Sequence, residues 1–327
     1  MTEVIELAVA PGTGAIYRRA ALGQFRRRSA TELPDTTLVL RGLAVDRAHL
    51  AAYNRVCGYR LTDQLSPTYP HVLAFPLAMQ LMSTVDFPVR VVGVVHLANR
   101  IEVRRPVDAG ERLELTVRAT DLRPHERGRQ FDVRATASVG DEVVWRGVST
   151  YLHKEKPSGP REERGGTTDR APAPQPTAVW RVGREVGPRY AEVSGDHNPI
   201  HTSRLGARAF GFPRTIAHGM WSKARCLAAL EGRLPDSYTV DVAFKLPILL
   251  PASVGFSAAR EQSAEREQSA EREQSAALEQ SAALEQSAAL GESAALGEST
   301  SRDVDDWVIG LHDAKSGRPH LRGRITG

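Results

Sequence analysis

The segment SGDHNPIH, residues 194–201, places an acid and an imidazole, Asp196 and His201, on the two sides of an Asn-Pro step. The residue before a proline is disfavoured in the α region, so the chain is expected to bend at Asn198 rather than run as a plain helix. Such a bend can aim both side chains into one pocket, where they hold a water or a substrate proton between them. Imidazole is suited to taking up and returning that proton, while the carboxylate orients the imidazole or the water, or is itself the base. Taken alone, the pattern more often marks an Asx turn with a surface histidine.

A second group strengthens the interpretation. Seventeen residues after His201, His218 and Gly219 stand at the beginning of SKARCLAAL, which is apolar at helical spacing. A helix N-terminus offers unpaired backbone N–H groups and the positive end of the helix dipole, and a glycine there lets a ligand approach closely. These groups are suited to stabilising a thioester carbonyl as it gains enolate character. The acid–imidazole pair and the helix start together predict an active site.

Three stretches carry a resemblance to a known family: YAEVSGDHNPIH, FGFPRTIAHGM and FKLP. They resemble the MaoC-like, R-specific enoyl-thioester hydratase/dehydratase family, closely over residues 180–256, loosely over 303–327 and in outline only in the N-terminal half. The resemblance implies a hot-dog fold, a long central helix wrapped by an antiparallel sheet. It also implies substrates carried as thioesters of coenzyme A or acyl carrier protein.

Residue roles follow from the same resemblance. Asp196 and His201 are the expected catalytic pair, and the backbone N–H of Gly219 is the expected donor to the thioester oxygen. Four more residues are expected to bind substrate or to support the pair: Asn198, His218, Met220 and Ser222. One departure concerns the position nine residues after His218, where many family members carry a hydroxyl side chain. Here it is Leu227, with Cys226 beside it and Ser222 one turn earlier.

The chain looks like two copies of one unit. The motif Tyr-x-x-Val-x-Gly occurs at 53–58 and at 190–195, a proline follows a strand-like run at 103–110 and 244–251, and a turn glycine follows at 138–147 and 314–323. Three matches in the same order indicate a duplicated domain, each copy with helices and an antiparallel sheet. The predicted fold class is therefore α+β, a double hot-dog. The predicted boundaries are an N-terminal extension 1–34, a first hot-dog domain 35–153, a linker 154–177 and a catalytic domain 178–327.

The first copy lacks the acid–imidazole pair. Tyr59 stands where the second copy has Asp196, and Gln64 stands where it has His201. A tyrosine and a glutamine do not shuttle a proton near neutral pH as an acid and an imidazole do. We therefore expect a non-catalytic domain, whose apolar run 72–82 is its core helix or, as an alternative, the lining of an acyl-chain tunnel.

An insert interrupts the second copy. From Glu261 the sequence repeats in sixes, as EQSAER, EQSAAL and GESAAL, up to about residue 300. Successive leucines six residues apart, such as Leu278 and Leu284, point to different sides of a helix, so no apolar stripe forms. We expect a solvated or disordered segment between two strands.

Composition excludes several classes of protein. The net charge is +4 at pH 7, and the basic stretch 17–28 has no nucleic-acid motif with it, so a solvated surface helix is the simpler interpretation. Two isolated cysteines, Cys57 and Cys226, make neither a disulfide framework nor a zinc site and favour a reducing, cytoplasmic setting. No signal peptide and no membrane span is predicted.

The predicted function is the reversible addition of water to a trans-2-enoyl thioester, which gives the (3R)-3-hydroxyacyl thioester. This is a hydro-lyase reaction that needs no metal and no cofactor beyond the coenzyme A or phosphopantetheine that carries the substrate. Two alternatives remain: a hot-dog thioesterase, and a non-catalytic acyl-thioester-binding protein. A thioesterase usually places its carboxylate on the central helix, and no acid lies between Met220 and Leu230. Whether the chain forms a homodimer is left open.

Overall fold

A computed structural model describes residues 2–14, 16–17, 30–91, 93–155, 174–261 and 306–327. The predictions for the basic stretch beyond Tyr17, for the linker at 156–173 and for the insert at 262–305 lie outside these residues. Within the described residues, no helix is long and apolar enough to cross a membrane.

The first half consists of a strand, two helices and four more strands. Its helices are α1 (Arg47–Cys57) and α2 (Tyr69–Met82). Its strands are β2 (Thr36–Leu43), β3 (Val94–Val103), β4 (Leu113–His125), β5 (Gly128–Val139) and β6 (Glu142–Lys154). A short strand, β1 (Glu3–Leu7), precedes them and pairs in parallel with β2.

The second half repeats this plan with two short helices added. Its helices are α3 (Val186–Ser194), α4 (Pro199–Thr202), α5 (Arg204–Ala209) and α6 (Gly219–Ala228). Its strands are β7 (Ala178–Val182), β8 (Tyr238–Phe244), β9 (Ala252–Glu261), β10 (Asp306–Asp313) and β11 (Pro319–Thr326).

All the strands form one sheet, in the order β1-β2-β4-β5-β6-β3-β8-β11-β10-β9-β7. Counted from its outer edge, each half places its first strand, then its third, fourth and fifth, then its second. The second strands of the two halves, β3 and β8, pair antiparallel at the seam, with Ile101 opposite Val240. The repeated strand order confirms the duplication and the α+β double hot-dog fold.

The motif shared by the two halves has a clear structural meaning. In each copy its glycine, Gly58 or Gly195, ends the short helix in the left-handed region, with φ of 82° and 72°. Glycine adopts this conformation without steric cost, which explains its place in both copies. The shared tyrosines, Tyr53 and Tyr190, lie 6.1 Å apart, ring centre to ring centre, so the equivalent helices α1 and α3 of the two halves contact each other.

The long helices α2 and α6 pack against the sheet, α2 on β2, β4 and β5 and α6 on β10. The apolar run 72–82 is the core helix of the first half, with Leu77, Leu81 and Met82 almost completely buried. Helix α6 carries one unusual core residue, Lys223, which is fully buried. Its ammonium lies 2.7 Å from Asn99 Oδ1, 2.9 Å from Asn99 O and 3.0 Å from Val240 O. Because Asn99 lies on β3 and Val240 on β8, this side chain joins the central helix to the seam.

Candidate active site

Asp196 is placed by the end of α3. The N–H of Gly195 donates to Ala191 O at 2.9 Å and closes the helix, and Asp196 follows at once. Its own N–H donates to Ser194 Oγ at 3.2 Å. The carboxyl side chain is 27% exposed, so it faces a site that solvent reaches.

His201 is placed by the short helix α4. Asn198 is its N-cap, with extended backbone (ψ 125°), and its side chain accepts a hydrogen bond from Ile200 N at 3.3 Å. Pro199 occupies the first helical turn, where a missing N–H costs nothing. The bend that the Asn-Pro step predicts is therefore present, and it is a capped helix start. The N–H of Asn198 also donates to Asp196 Oδ1 at 3.2 Å, so one residue helps to place both members of the pair.

The hydrogen bond of His201 fixes its tautomer. Nδ1 lies 2.8 Å from the carbonyl oxygen of Ile216. A carbonyl can only accept, so Nδ1 carries the hydrogen and Nε2 keeps its lone pair. Burial lowers the pKa of His201, and it outweighs the opposing effects of Asp196 and the Ile216 carbonyl. A neutral imidazole with a free Nε2 can accept a proton.

His218 lies against His201, with ring centres 3.6 Å apart. Its Nε2 is 3.0 Å from the backbone oxygen of Asp196, while its buried Nδ1 has no hydrogen-bond partner among the described residues. Burial, and then the neighbouring His201, lower its pKa to about 3, so His218 is neutral at pH 7. It therefore positions the pair without carrying charge.

The carboxylate of Asp196 has a neighbour that the sequence did not reveal. Tyr17, from the segment before β2, donates its hydroxyl to Asp196 Oδ1 at 2.6 Å. Burial raises the pKa of Asp196, but the electrostatic interaction with the neighbouring His218 and His201 and the hydrogen bonds from Tyr17 and Asn198 outweigh it, so the net shift is downward. The site thus favours an ionised carboxylate beside a neutral imidazole.

Helix α6 begins at Gly219, directly after His218. The first N–H groups of a helix have no partner within it. His218, the N-cap of α6, makes no side-chain hydrogen bond to them. A Cβ added to Gly219 would lie 3.1 Å from the ring of Phe244, the last residue of β8. The glycine thus also makes room for this ring, a packing reason that the motif alone did not show.

The other two predicted residues of α6 are buried. Met220 is 5% exposed and Ser222 is 4% exposed. The Ser222 hydroxyl donates to His218 O at 3.3 Å, one turn back in its own helix. This hydrogen bond stabilises the first turn of α6. Leu227, where many family members carry a hydroxyl side chain, is a buried core residue, 1% exposed.

Asp196, His201 and His218 each place one oxygen or nitrogen atom within 4.8 Å of the others. This is the spacing at which three side chains share a bound water or, in other proteins, a cation. The prediction that no metal is needed stays a prediction.

Two histidines of the first half also face the site. His96 stacks on Tyr151, 4.6 Å between ring centres, lies 4.9 Å from Phe244, and has His71 6.2 Å away. Burial lowers the pKa of His71 to about 4 and that of His96 to about 3, and the negative charge of Asp196 acts on both in the opposite direction. No role for these histidines could be predicted from the sequence, because their spacing along the chain shows no pattern.

A cavity of about 10 Å³ lies beside His71 in the first half. It lies between α2 and strands β5 and β6, and its walls are mostly small or apolar. The lining comprises His71, Ala74, Phe75, Ala78, Val133, Ala135, Gly147, Ser149 and Tyr151. Part of the run 72–82 therefore lines a cavity while the rest packs in the core.

The equivalent positions of the first half hold no acid–base pair. The Tyr59 hydroxyl is 3.2 Å from Thr68 Oγ1, in the interior, whereas Gln64 is exposed and forms a β-bridge with Asp108. The two side chains therefore do not meet in a pocket.

Comparison with known proteins decides the family. The model of the MaoC like domain matches residues 167–281. Over 242 residues the chain is 40% identical to 3-hydroxyacyl-thioester dehydratase X of Mycobacterium tuberculosis, a match that spans 74% of this chain and 86% of that protein. The chain belongs to the MaoC-like dehydratase family.

Further relatives agree with this assignment. A crystal structure of the same mycobacterial MaoC-like protein superposes with a TM-score of 0.68 at 33% identity, over 89% of this chain and 99% of that one. Enoyl-CoA hydratase ChsH3 of M. tuberculosis is 29% identical over 197 residues, 56% of this chain and 65% of that protein. A MaoC-like dehydratase from Phytophthora capsici, at 16% identity and a TM-score of 0.59, shares the fold. The resemblance to the MaoC-like family seen in the sequence motifs is confirmed.

Proposed function

We propose that this MaoC-like protein is a hydro-lyase that interconverts trans-2-enoyl and (3R)-3-hydroxyacyl thioesters by adding or removing water. The observation that carries the proposal is the meeting of the Asp196 carboxylate and the neutral His201 at the uncapped start of α6. The names of the relatives, 3-hydroxyacyl-thioester dehydratase and enoyl-CoA hydratase, support it.

The residues act as follows in the direction of hydration. Asp196 and Nε2 of His201 hold a water and take one of its protons as its oxygen bonds to C3 of the enoyl group. The electron pair of the double bond moves toward the thioester oxygen, where the N–H of Gly219 stabilises the developing enolate. The pair then returns the proton to C2, and dehydration is the same path reversed. These steps draw on no cofactor besides the carrier of the acyl group.

A direct assay tests the function. Purified protein mixed with trans-2-enoyl-CoA substrates of several chain lengths should consume the absorbance of the enoyl thioester and form the (3R) product. Release of free thiol without hydration would identify a thioesterase. Binding of the thioester without turnover would identify an acyl-binding protein.

We propose coenzyme A as the carrier, on the evidence of a basic pocket of about 690 Å³. The pocket lies between the end of β7, the β8–β9 loop and the β10–β11 turn. Four cationic side chains line it, Arg181, Arg214, Lys315 and Arg318, against one carboxylate, Asp313. Among the described residues, none of the four is paired with a carboxylate, and unpaired cations around one concavity favour an anionic ligand.

The pocket adjoins the proposed site. Its wall, residues 246–253, is hydrogen-bonded to the segment that leads into α6: Ala217 N donates to Ile248 O at 3.0 Å and Leu250 N donates to Thr215 O at 2.8 Å. A carrier that extends from the helix start can therefore place its 3′-phosphate and diphosphate in this pocket.

A comparison of carriers tests this choice. In Arg181→Gln and Arg318→Gln we expect KM for an enoyl-CoA to rise about tenfold each, the usual scale for a lost charge-assisted contact. The same acyl group on pantetheine, which lacks the nucleotide, should be unaffected. Arg118→Gln, an exposed arginine on β4, is the matched control. If only an acyl carrier protein substrate responds, coenzyme A is the wrong carrier; if wild type turns over neither thioester, the function itself fails.

A further inference from the structure

The segment before β2 closes over the proposed site as a short arm, which we define as Thr13, Gly14, Ile16 and Tyr17. Ile16 is 3% exposed and belongs to the hydrophobic core, so it anchors the arm. Thr13 packs on Gly195, the residue before Asp196: a Cβ added to that glycine would lie 3.0 Å from the Thr13 methyl group. The arm is therefore held by contacts at both of its ends.

Tyr17 is the residue of this arm that reaches the reacting groups. Its ring meets His197 edge to face at 6.4 Å, and its hydroxyl donates to Asp196 Oδ1 at 2.6 Å. The N–H of Asn198 is the second donor to the same oxygen, at 3.2 Å. Oδ1 is thus held by two hydrogen bonds, while Oδ2 lies on the side of His218, 3.9 Å from its Nε2.

We propose that Tyr17 is a positioning residue of the Asp196–His201 pair, whose hydroxyl holds Oδ1 so that Oδ2 meets the reacting water. The proposal rests on the proposed hydratase function. It makes the segment before β2, a mere extension in the sequence analysis, a part of the active site. Tyr17 acts through Asp196 and is not itself a base, because burial and the neighbouring carboxylate raise its pKa far above its usual value and keep the hydroxyl protonated.

The physical reason is that Asp196 is partly exposed and follows the end of a helix, where its side chain would otherwise be free to rotate. A carboxylate misplaced by about 1 Å can cost about 100-fold in rate. Few other groups around Asp196 could hold its carboxylate in place. His201 and His218 are neutral, His197 is in contact with the Tyr17 ring, and the first half contributes Tyr151, His71 and His96, with the buried Lys223 behind them.

The test is Tyr17→Phe, which removes the hydroxyl and keeps the ring against His197. We expect kcat for enoyl-thioester hydration to fall about tenfold, the scale of one lost charge-assisted hydrogen bond, with KM changed less than about twofold. The part of the acid limb that reports protonation of Asp196 should also move to higher pH, because an ionised carboxylate that loses a donor is protonated more easily. A merely structural tyrosine would lower Tm without moving this limb.

Tyr59→Phe is the matched control. It removes a buried tyrosine hydroxyl of the first half, at the position that corresponds to Asp196, where the partner is Thr68, and should leave kcat and the pH profile unchanged. If Tyr17→Phe folds, judged by Tm, and keeps the wild-type kcat and pH profile, the proposal is wrong. The proposal is also wrong if Tyr17→Phe raises kcat, because the Tyr17 hydroxyl then obstructs the reaction instead of positioning Asp196. Absence of hydration by the wild type would instead refute the proposed function.

Discussion

One carboxylate oxygen of Asp196 accepts hydrogen bonds from two donors, and the other lies toward the imidazoles. The two oxygens therefore have different roles in the proposed mechanism. His201 shows the same division, because the Ile216 carbonyl occupies Nδ1 and leaves Nε2 for chemistry. In the proposed mechanism, each member of the pair thus has one atom that fixes its orientation and one that reacts. Substitutions of the pair should therefore affect turnover far more than folding.

At this scale we first predict that Asp196→Asn and His201→Ala each lower kcat by about 100-fold or more, the usual contribution of a general acid–base group. Because the two act as one unit, the double variant should be little worse than either single variant. Circular dichroism should show a folded protein in each case. Near-wild-type hydration by either single variant would contradict the assignment.

The pH dependence follows from the directions of the pKa shifts. The reactive forms are ionised Asp196 and neutral His201, and the site lowers the pKa of both groups. Activity should therefore be lost only as pH falls, and the acid limb of kcat/KM should lie below 6.5, the ordinary pKa of histidine. A profile measured between about pH 5 and 8 checks this. A limb above 6.5 would mean that the pair carries a different charge.

Residue types and spacing were enough to find Asp196, His201 and the helix start, because the bend, the cap and the glycine are local. They were not enough to find Tyr17, which lies 179 positions from Asp196 in sequence. They also missed His71 and His96, which reach the site only through the packing of the two halves. Contacts of this kind depend on the tertiary fold and leave no periodic signal.

Among the elements, α4 matters beyond its four residues because it turns the chain so that His201 faces back toward Asp196. The insert, by contrast, lies at the boundary between two elements, β9 and β10. Glu261 and Asp306, which flank the insert at 262–305, are direct partners in the antiparallel ladder. The two strands therefore already stand at hairpin distance.

We accordingly predict that replacing residues 262–305 with an Asn-Gly turn leaves hydration within about twofold and Tm nearly unchanged, because such turns match the twist of paired strands. The assay and a thermal melt check this. Shortening the strands themselves, by also removing residues 258–261 and 306–309, is the contrasting variant and should destabilise the protein. A large fall in Tm for the first replacement would show that the insert packs on the domain.

The elements were predictable where the pattern was repeated. The short helix ended by a glycine, the proline after the second strand and the turn glycine of the last hairpin all occur in both copies. The strand β1 and the arm were not predictable, because neither belongs to the repeated pattern through which the two copies can be compared.

For the molecule as a whole, the proposed function places one acid–base pair among the described residues of the duplicated fold. We predict that a tight substrate-analogue inhibitor abolishes activity at one equivalent per chain. Tyr59→Asp combined with Gln64→His should not create a second site, because Gln64 is exposed on a segment without the Asn-Pro cap. Active-site titration of both proteins measures this, and a stoichiometry of two would show that the first half is misinterpreted.

The seam between β3 and β8 has a consequence for how the chain could be divided. If the chain were cut within the linker, each fragment would expose one edge of the sheet, β3 or β8, with unpaired backbone N–H and C=O groups. The edge of the other fragment is the strand that matches it. Lys223 would also fix the alignment of the two fragments, because its buried amino group bonds acceptors in both of them. The two halves would then behave as a complementation pair, in which hydration of an enoyl thioester reports that the fragments have found each other.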